Sequence, residues 1–385
     1  MDMIYFDYAA TTPLDMDCAE VYVKVSREFF GNSNSLHDRG GQAADILENC
    51  RAELARLLGI RKQGLYFTSG GSEGNFLAIE ALLSSGKKKG KHIIAGMAEH
   101  YSIHGTLRRL KDLGYDITYL PYTSTGLIDP DVLQKSIQPE TVLAIVQHVN
   151  SEIGTIQPIQ EIGEICRNHN IFLHCDAVQS FGKINVISIV PYVSSLSFSG
   201  HKIYGPKGIG GVYIDPSIDW KPFFPGTSHE KGFRPGTVNV PGIAAMTVAA
   251  QKIFKRMQVD YDQFLQLRNF FITALEPILD RVKIYQAPIN HQLPSILGMS
   301  ITGIEGQWIM LECNRLGFEI STGSACHVGM QSPAMITKAL GLDKIKAKEF
   351  IRISFGQATT EEDVKKLANG IVSIVENYPG SVVIP

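Results

Sequence analysis

The sequence predicts an α/β protein in two parts. A large domain over residues 1–257 carries a mainly parallel sheet covered by helices, and a smaller α+β domain occupies residues 258–385. Three observations carry this. Short apolar runs alternate with helix-periodic stretches through the larger part of the chain, the pattern of strand–helix–strand units. Near Pro241 that alternation gives way to long helical stretches and then a shorter β-then-α region. The 385 residues, 44% hydrophobic and 19% charged, suffice for two domains of ordinary globular composition.

Taken in order, residues 3–8 form a short extended entry that can reach the small domain, and Ala9-Ala-Thr-Thr-Pro13 turns it. Gly31-Asn-Ser-Asn-Ser-Leu-His37 is loop chemistry. Residues 43–58 place Ile46, Leu47, Leu54, Leu57 and Leu58 at helical spacing and stop at Gly59. Strand candidates follow at 64–68, 92–96, 117–120, 142–149, 171–175, 195–199 and 211–214, with helices at 75–83, 103–113 and 159–168 among those between them. Beyond them come helices at 241–257 and 261–279, then strands at 282–285, 296–301, 318–321 and 350–355.

Composition excludes several classes. A formal charge of -2 leaves no global basic field for nucleic acid or anionic membrane. Neither a signal peptide nor an apolar run of membrane-helix length is visible, so the chain reads as cytoplasmic. Cysteines 18, 50, 166, 175, 313 and 326 lack disulfide-framework spacing, which favours reduced thiols. Cys166, His169, His174 and Cys175 imitate a zinc cluster, but alternation along a buried strand points His174 and Cys175 opposite ways. No metal site is assigned.

Four stations lie at the carboxyl ends of strand candidates, the edge where open α/β sheets bind ligands. At Thr68-Ser-Gly-Gly-Ser-Glu73 a strand enters a Gly-Gly turn and a helix, whose free N–H groups suit a phosphate; Ser72 as a simple N-cap is the alternative. His100 can stack on a planar ring or move a proton, or be structural. Asn150 can hold an oxygen or make a turn. Asp176 needs a partner for its charge, such as a protonated pyridine nitrogen, unless it caps a helix. Beyond them, Ser199-Gly-His-Lys202 and a glycine-rich turn set an amine between two short strands. That suits a Schiff-base lysine, the alternative being a hairpin with solvated Lys202 and Lys207.

In that order the set resembles the fold-type I pyridoxal phosphate enzymes. Tyr8-Ala-Ala-Thr-Thr-Pro13, Glu99-His100, Asn150-Ser-Glu-Ile-Gly154, Asp176-Ala-Val-Gln179, Arg234-Pro-Gly-Thr237, Gly323-Ser-Ala-Cys326 and Arg352-Ile-Ser354 further resemble the class V aminotransferase branch, and within it the NifS/IscS-type cysteine desulfurases. The resemblance implies conversion of L-cysteine to L-alanine, with sulfur passing to Cys326 as a persulfide. Pyridoxal 5'-phosphate would be joined to Lys202, which then moves the substrate's α proton. Gly71, Ser72, Ser199 and His201 would hold the phosphate, and Thr237 that of the neighbouring subunit in a homodimer. Asp176 would keep the ring nitrogen protonated, Gln179 bond the ring hydroxyl, and His100 stack on the ring and aid proton transfer. Asn150 and Arg352 would receive the substrate carboxylate, and alternation along 350–355 lets Arg352 leave the core while Ile351, Ile353 and Phe355 fill it.

A sulfur-acceptor protein, an iron–sulfur scaffold or a tRNA-thiolating enzyme, is the implied partner. A class V aminotransferase, a selenocysteine lyase and a non-catalytic cofactor-holding protein are the alternatives. Gly71, Gly74 and Phe76 stand where relatives often have Ala, Ser and Asn, beside the phosphate cup, and His327 to Pro333 depart from the usual Thr-Ser-rich continuation.

Overall fold

The structure is a computed structural model and describes residues 3–86, 88–226, 228–322 and 334–381. Its main sheet has seven strands, in the spatial order Leu65–Thr68, Gly210–Ile214, Ser195–Ser199, Phe172–Asp176, Thr141–Gln147, His92–Gly96 and Asp116–Leu120. Only Gly210–Ile214 runs against its neighbours; every other pairing is parallel. The inner strands are buried along their whole length, as expected for a sheet covered on both faces. Helices Gly71–Ser84, Tyr101–Asp112 and Ile159–Asn168 alternate with the strands.

Each predicted strand of this sheet is present within two residues at its ends. The helix foreseen from residue 43 begins earlier, at Asp38. The His37 ring caps it by accepting from Gly40 N, and Gly59 ends it at φ +66°.

The two helices foreseen at 241–257 and 261–279 are one helix, Val240–Ala274. The polar stretch between them reads as a break, yet Arg256 pairs with Asp260 and Gln258 bonds Asp262, each four residues on. Its first half packs against Met16–Glu28 and Asp38–Leu58, and small buried Ala244, Ala245, Ala249 and Ala250 line its inner face.

A second sheet is antiparallel, ordered Phe350–Ser354, Ile296–Ile301, Val282–Tyr285. It shares a core with Phe264, Leu267, Phe271 and Glu361–Glu376. The N-terminal strand Ile4–Tyr5 pairs in parallel with Phe318–Glu319, and Phe6 is buried in that same core. Residues 7–12 then cross to the end of the main sheet, which brings the two cores together around the site.

Candidate active site

The carboxyl ends of the main-sheet strands open on a cavity of about 240 Å³. Lys202 sits in the turn after Ser195–Ser199. Its Nζ donates to the carbonyl oxygens of Ala9 at 2.6 Å and Ala10 at 2.8 Å. The incoming N-terminal segment clasps this turn: Thr12 N and Oγ1 both donate to His201 O, and Tyr204 N donates to Thr12 Oγ1. Residues 9–12 therefore build the wall against which the lysine is held.

Asp176 ends the neighbouring strand and is 6% exposed. It accepts from Val178 N at 3.0 Å and from Asn75 Nδ2 at 2.8 Å. Asn75, which sequence reasoning did not single out, is a hub. Its Nδ2 also reaches Ser102 Oγ, while its Oδ1 accepts from His174 Nε2 at 3.1 Å and from the Ser197 hydroxyl. Every hydrogen-bonding position of this buried amide is thus engaged.

His100 caps Tyr101–Asp112, its Nδ1 accepting from Ser102 N at 3.2 Å. The neutral ring then carries its proton on Nε2. Burial holds the imidazole below the usual histidine range, with Lys202 pushing the same way and Asp176 opposing. Burial and the nearby Lys202 bring His201 down to about 4. Both rings are neutral at pH 7.

The helix Gly71–Ser84 points its free N-terminal N–H groups at the cavity between Ser72, Ser199 and His201. A Cβ on Gly71 would lie 2.5 Å from Val178 Cγ2, so a larger residue there needs Val178 to turn aside. A Cβ on Gly74 would lie 2.9 Å from Val212 Cγ2. Phe76 turns outward instead, edge-on to Phe223 and beneath Arg109. Both glycines thus face branched side chains, Val178 itself being part of the Asp176-Ala-Val-Gln179 string.

Arg352 enters from the small sheet, 2% exposed. It donates to Asp7 Oδ1 at 2.7 Å and Ser151 O at 2.9 Å, while its buried Nε has no hydrogen-bond partner among the described residues. The strand alternation works as expected, with Ile351, Ile353 and Phe355 in the core. Gly71, Ser72, His100, Asp176, Gln179, Ser199, His201, Lys202 and Arg352 all line the cavity.

Asn150 and Thr237 do not line it. Asn150 is fully buried, its Oδ1 accepting from Glu152 N and Ile153 N at 2.9 Å each, so its carbonyl makes the turn there. Its neighbours Val149 and Ser151 form the wall. Thr237 is exposed on the segment after Arg234, which pairs with Glu73 of the helix Gly71–Ser84. Cys326 lies outside the described residues.

Residues 4–367 match the family described as aminotransferase class-V. The chain belongs to that family. Among class-V relatives, NifS of Bacillus subtilis (strain 168) is 46% identical, with 98% of this chain and 96% of the relative covered. The cysteine desulfurase IscS of Dictyoglomus turgidum (strain DSM 6724 / Z-1310) is 37% identical, at 97% and 94% coverage. A solved structure titled NIFS-LIKE PROTEIN superposes with a TM-score of 0.89 at 30% identity, covering 97% of this chain and 99% of that one.

Class-V enzymes use pyridoxal phosphate, and the cavity fits it. An amine, a carboxylate held by two donors, a helix N-terminus flanked by hydroxyls and an arginine at the cavity wall are the groups that an aldehyde, a pyridinium, a phosphate and an amino-acid carboxylate require.

Proposed function

We infer that this chain is a pyridoxal phosphate-dependent cysteine desulfurase that forms L-alanine from L-cysteine. The observation that carries it is the convergence of Lys202, Asp176 and Arg352 from three different segments on one cavity. The relatives named NifS and IscS favour desulfurization over amino-group transfer.

Bound pyridoxal phosphate supplies an electron sink for the bond broken at the substrate Cα. Lys202 would hold the cofactor's aldehyde carbon and, when displaced by the substrate amine, carry the α proton. The Ala9 and Ala10 carbonyls keep its Nζ in place. Asp176 would face the ring nitrogen, with Asn75 fixing its carboxylate. His100, neutral with its proton on Nε2, would lie against the ring and assist proton transfer there. Arg352 would take the substrate carboxylate, and the buried Asn150 would support that wall through its turn.

Cys326 is the proposed sulfur acceptor. Its thiolate attacks the substrate sulfur, an S–S bond forms, the substrate Cβ–S bond breaks, and the carbon skeleton takes up protons and leaves as alanine. The persulfide then passes to an acceptor protein serving iron–sulfur cluster assembly or thiolation.

Two further parts of the reading concern assembly and location. A homodimer would place exposed Thr237 at the partner's phosphate site. The domain division at 257/258 falls inside the long helix, which would then serve as the link between the two units. Described cysteines 18, 50, 166, 175 and 313 are free and buried, in keeping with a reducing cytoplasm. Given L-cysteine, the holoenzyme should release alanine in step with sulfur bound to protein. Pyruvate without alanine, or amino transfer to a keto acid, would overturn the reading.

A further inference from the structure

Beside Lys202, and lining a small cavity with it, lies a second, half-buried lysine. Lys183 follows Gln179 by four residues, in the turns closed by Phe181 N to Ala177 O and Ile184 N to Ser180 O. Its Nζ donates to Gln179 Oε1 at 3.0 Å. From the other end of the same amide, Gln179 Nε2 donates to Ala9 O at 2.8 Å. That carbonyl also accepts from Lys202 Nζ at 2.6 Å. One chain of contacts therefore runs from Lys183 through Gln179 and Ala9 to the catalytic amine.

An ammonium group has donors and no acceptor, so it can sit only against the oxygen end of an amide. A half-turn of the Gln179 amide would set its oxygen against the Ala9 carbonyl and its NH2 against the Lys183 ammonium, so the two contacts hold the same orientation. We propose that Lys183 is a positioning residue for the cofactor site: it fixes the Gln179 amide so that Nε2 is the end presented to the cavity, ready to donate to the cofactor's ring oxygen.

The surroundings of Lys183 give it no other electrostatic reason to be there. Tyr8, Tyr204 and Asp260 share a small cavity with it, but Asp260 is engaged by Arg256 and Gln357. Among the described residues, none of the ion pairs includes Lys183. Burial, with Lys202 and Arg352 nearby, lowers its pKa to about 7, so the ammonium from which Gln179 Oε1 accepts prevails below that pH, where the cofactor titration is run, at a cost that an apolar side chain would avoid. A side chain needed only for packing would keep the stem and omit the charge.

The inference rests on pyridoxal phosphate occupying the cavity. The test titrates pyridoxal phosphate into the apo forms of the native chain, Lys183→Met, Lys183→Arg, Gln179→Ala and the Lys183→Met/Gln179→Ala double variant. Dissociation constants and the absorption band of the bound cofactor are read, with apo melting temperatures alongside. Lys183→Met keeps the stem and loses the donor; it should bind about tenfold more weakly with a displaced band. Lys183→Arg should restore both to within about threefold of native. On the Gln179→Ala background, Lys183→Met should change binding less than about twofold, because the group it acts through is gone. Native-like binding and spectrum in Lys183→Met would overturn the assignment, and so would an equal loss on both backgrounds. A native chain that took up no cofactor would overturn the cofactor reading, and the assignment with it.

Discussion

Asn75 Nδ2 lies 2.8 Å from Asp176 Oδ2 and 3.0 Å from Ser102 Oγ, so one amide ties the carboxylate at the end of the central strand to the serine that caps beside His100. Asn75→Ala removes that donor and leaves His174 Nε2 and the Ser197 hydroxyl without their acceptor. The variant should lose about 2 kcal/mol of stability in urea unfolding, since buried unsatisfied groups cost roughly 1–3 kcal/mol each. It should also bind pyridoxal phosphate more weakly. Native stability together with native affinity would show that the hub has no such role.

Gly71 and Val178 are complementary. A methyl group at position 71 would meet Val178 Cγ2 at 2.5 Å, so Gly71→Ala should weaken cofactor binding and cost about 1–3 kcal/mol as an overpacked contact. Gly71→Ala/Val178→Ala should recover most of both. Failure of the second change to rescue the first would mean that the glycine is needed for another reason, such as the approach of the phosphate itself.

Stability should depend on pH through two buried imidazoles and a third that is half-buried. His148, His174 and His201 are each lowered from 6.5 to about 4, burial being the first cause in every case. The folded rings bind protons more weakly than the unfolded ones. Their contribution is therefore complete above pH 6.5 and is lost as the pH falls through that value towards 4. For fully buried His174 the loss is on the order of 3 kcal/mol. The apo melting temperature should decline steadily across this window, and His174→Gln should flatten part of the decline. A melting temperature constant from pH 7 to 4 would contradict the neutral assignments.

Much of this was legible in the sequence, for identifiable reasons. The apolar run 92–96 and the alternating Ser-Leu-Ser-Phe-Ser of 195–199 can be placed without tertiary information, and residues at their ends face the cavity by topology alone. Arg352 was readable from its isolation among apolar neighbours. Asn75 was not, because an asparagine in the first turns of a helix looks like ordinary polar punctuation. Its meaning comes from residues 102, 174, 176 and 197, which only folding assembles. Lys183 was hidden likewise, since four-residue spacing from Gln179 carries no mark of burial. For Asn150 the string gives the residue but not its surroundings: its Oδ1 holds the local turn, while its Nδ2 is buried without a hydrogen-bond partner among the described residues.

The most direct test of the account is where the cofactor is attached. The native holoenzyme is reduced with borohydride, digested, and the pyridoxyl-bearing peptide identified by mass spectrometry. The account predicts one modified side chain, Lys202, the amine held by the Ala9 and Ala10 carbonyls beside Asp176. Lys202→Ala should yield no modified peptide. Modification at Lys183 or Lys207, or none in the native chain, would contradict it.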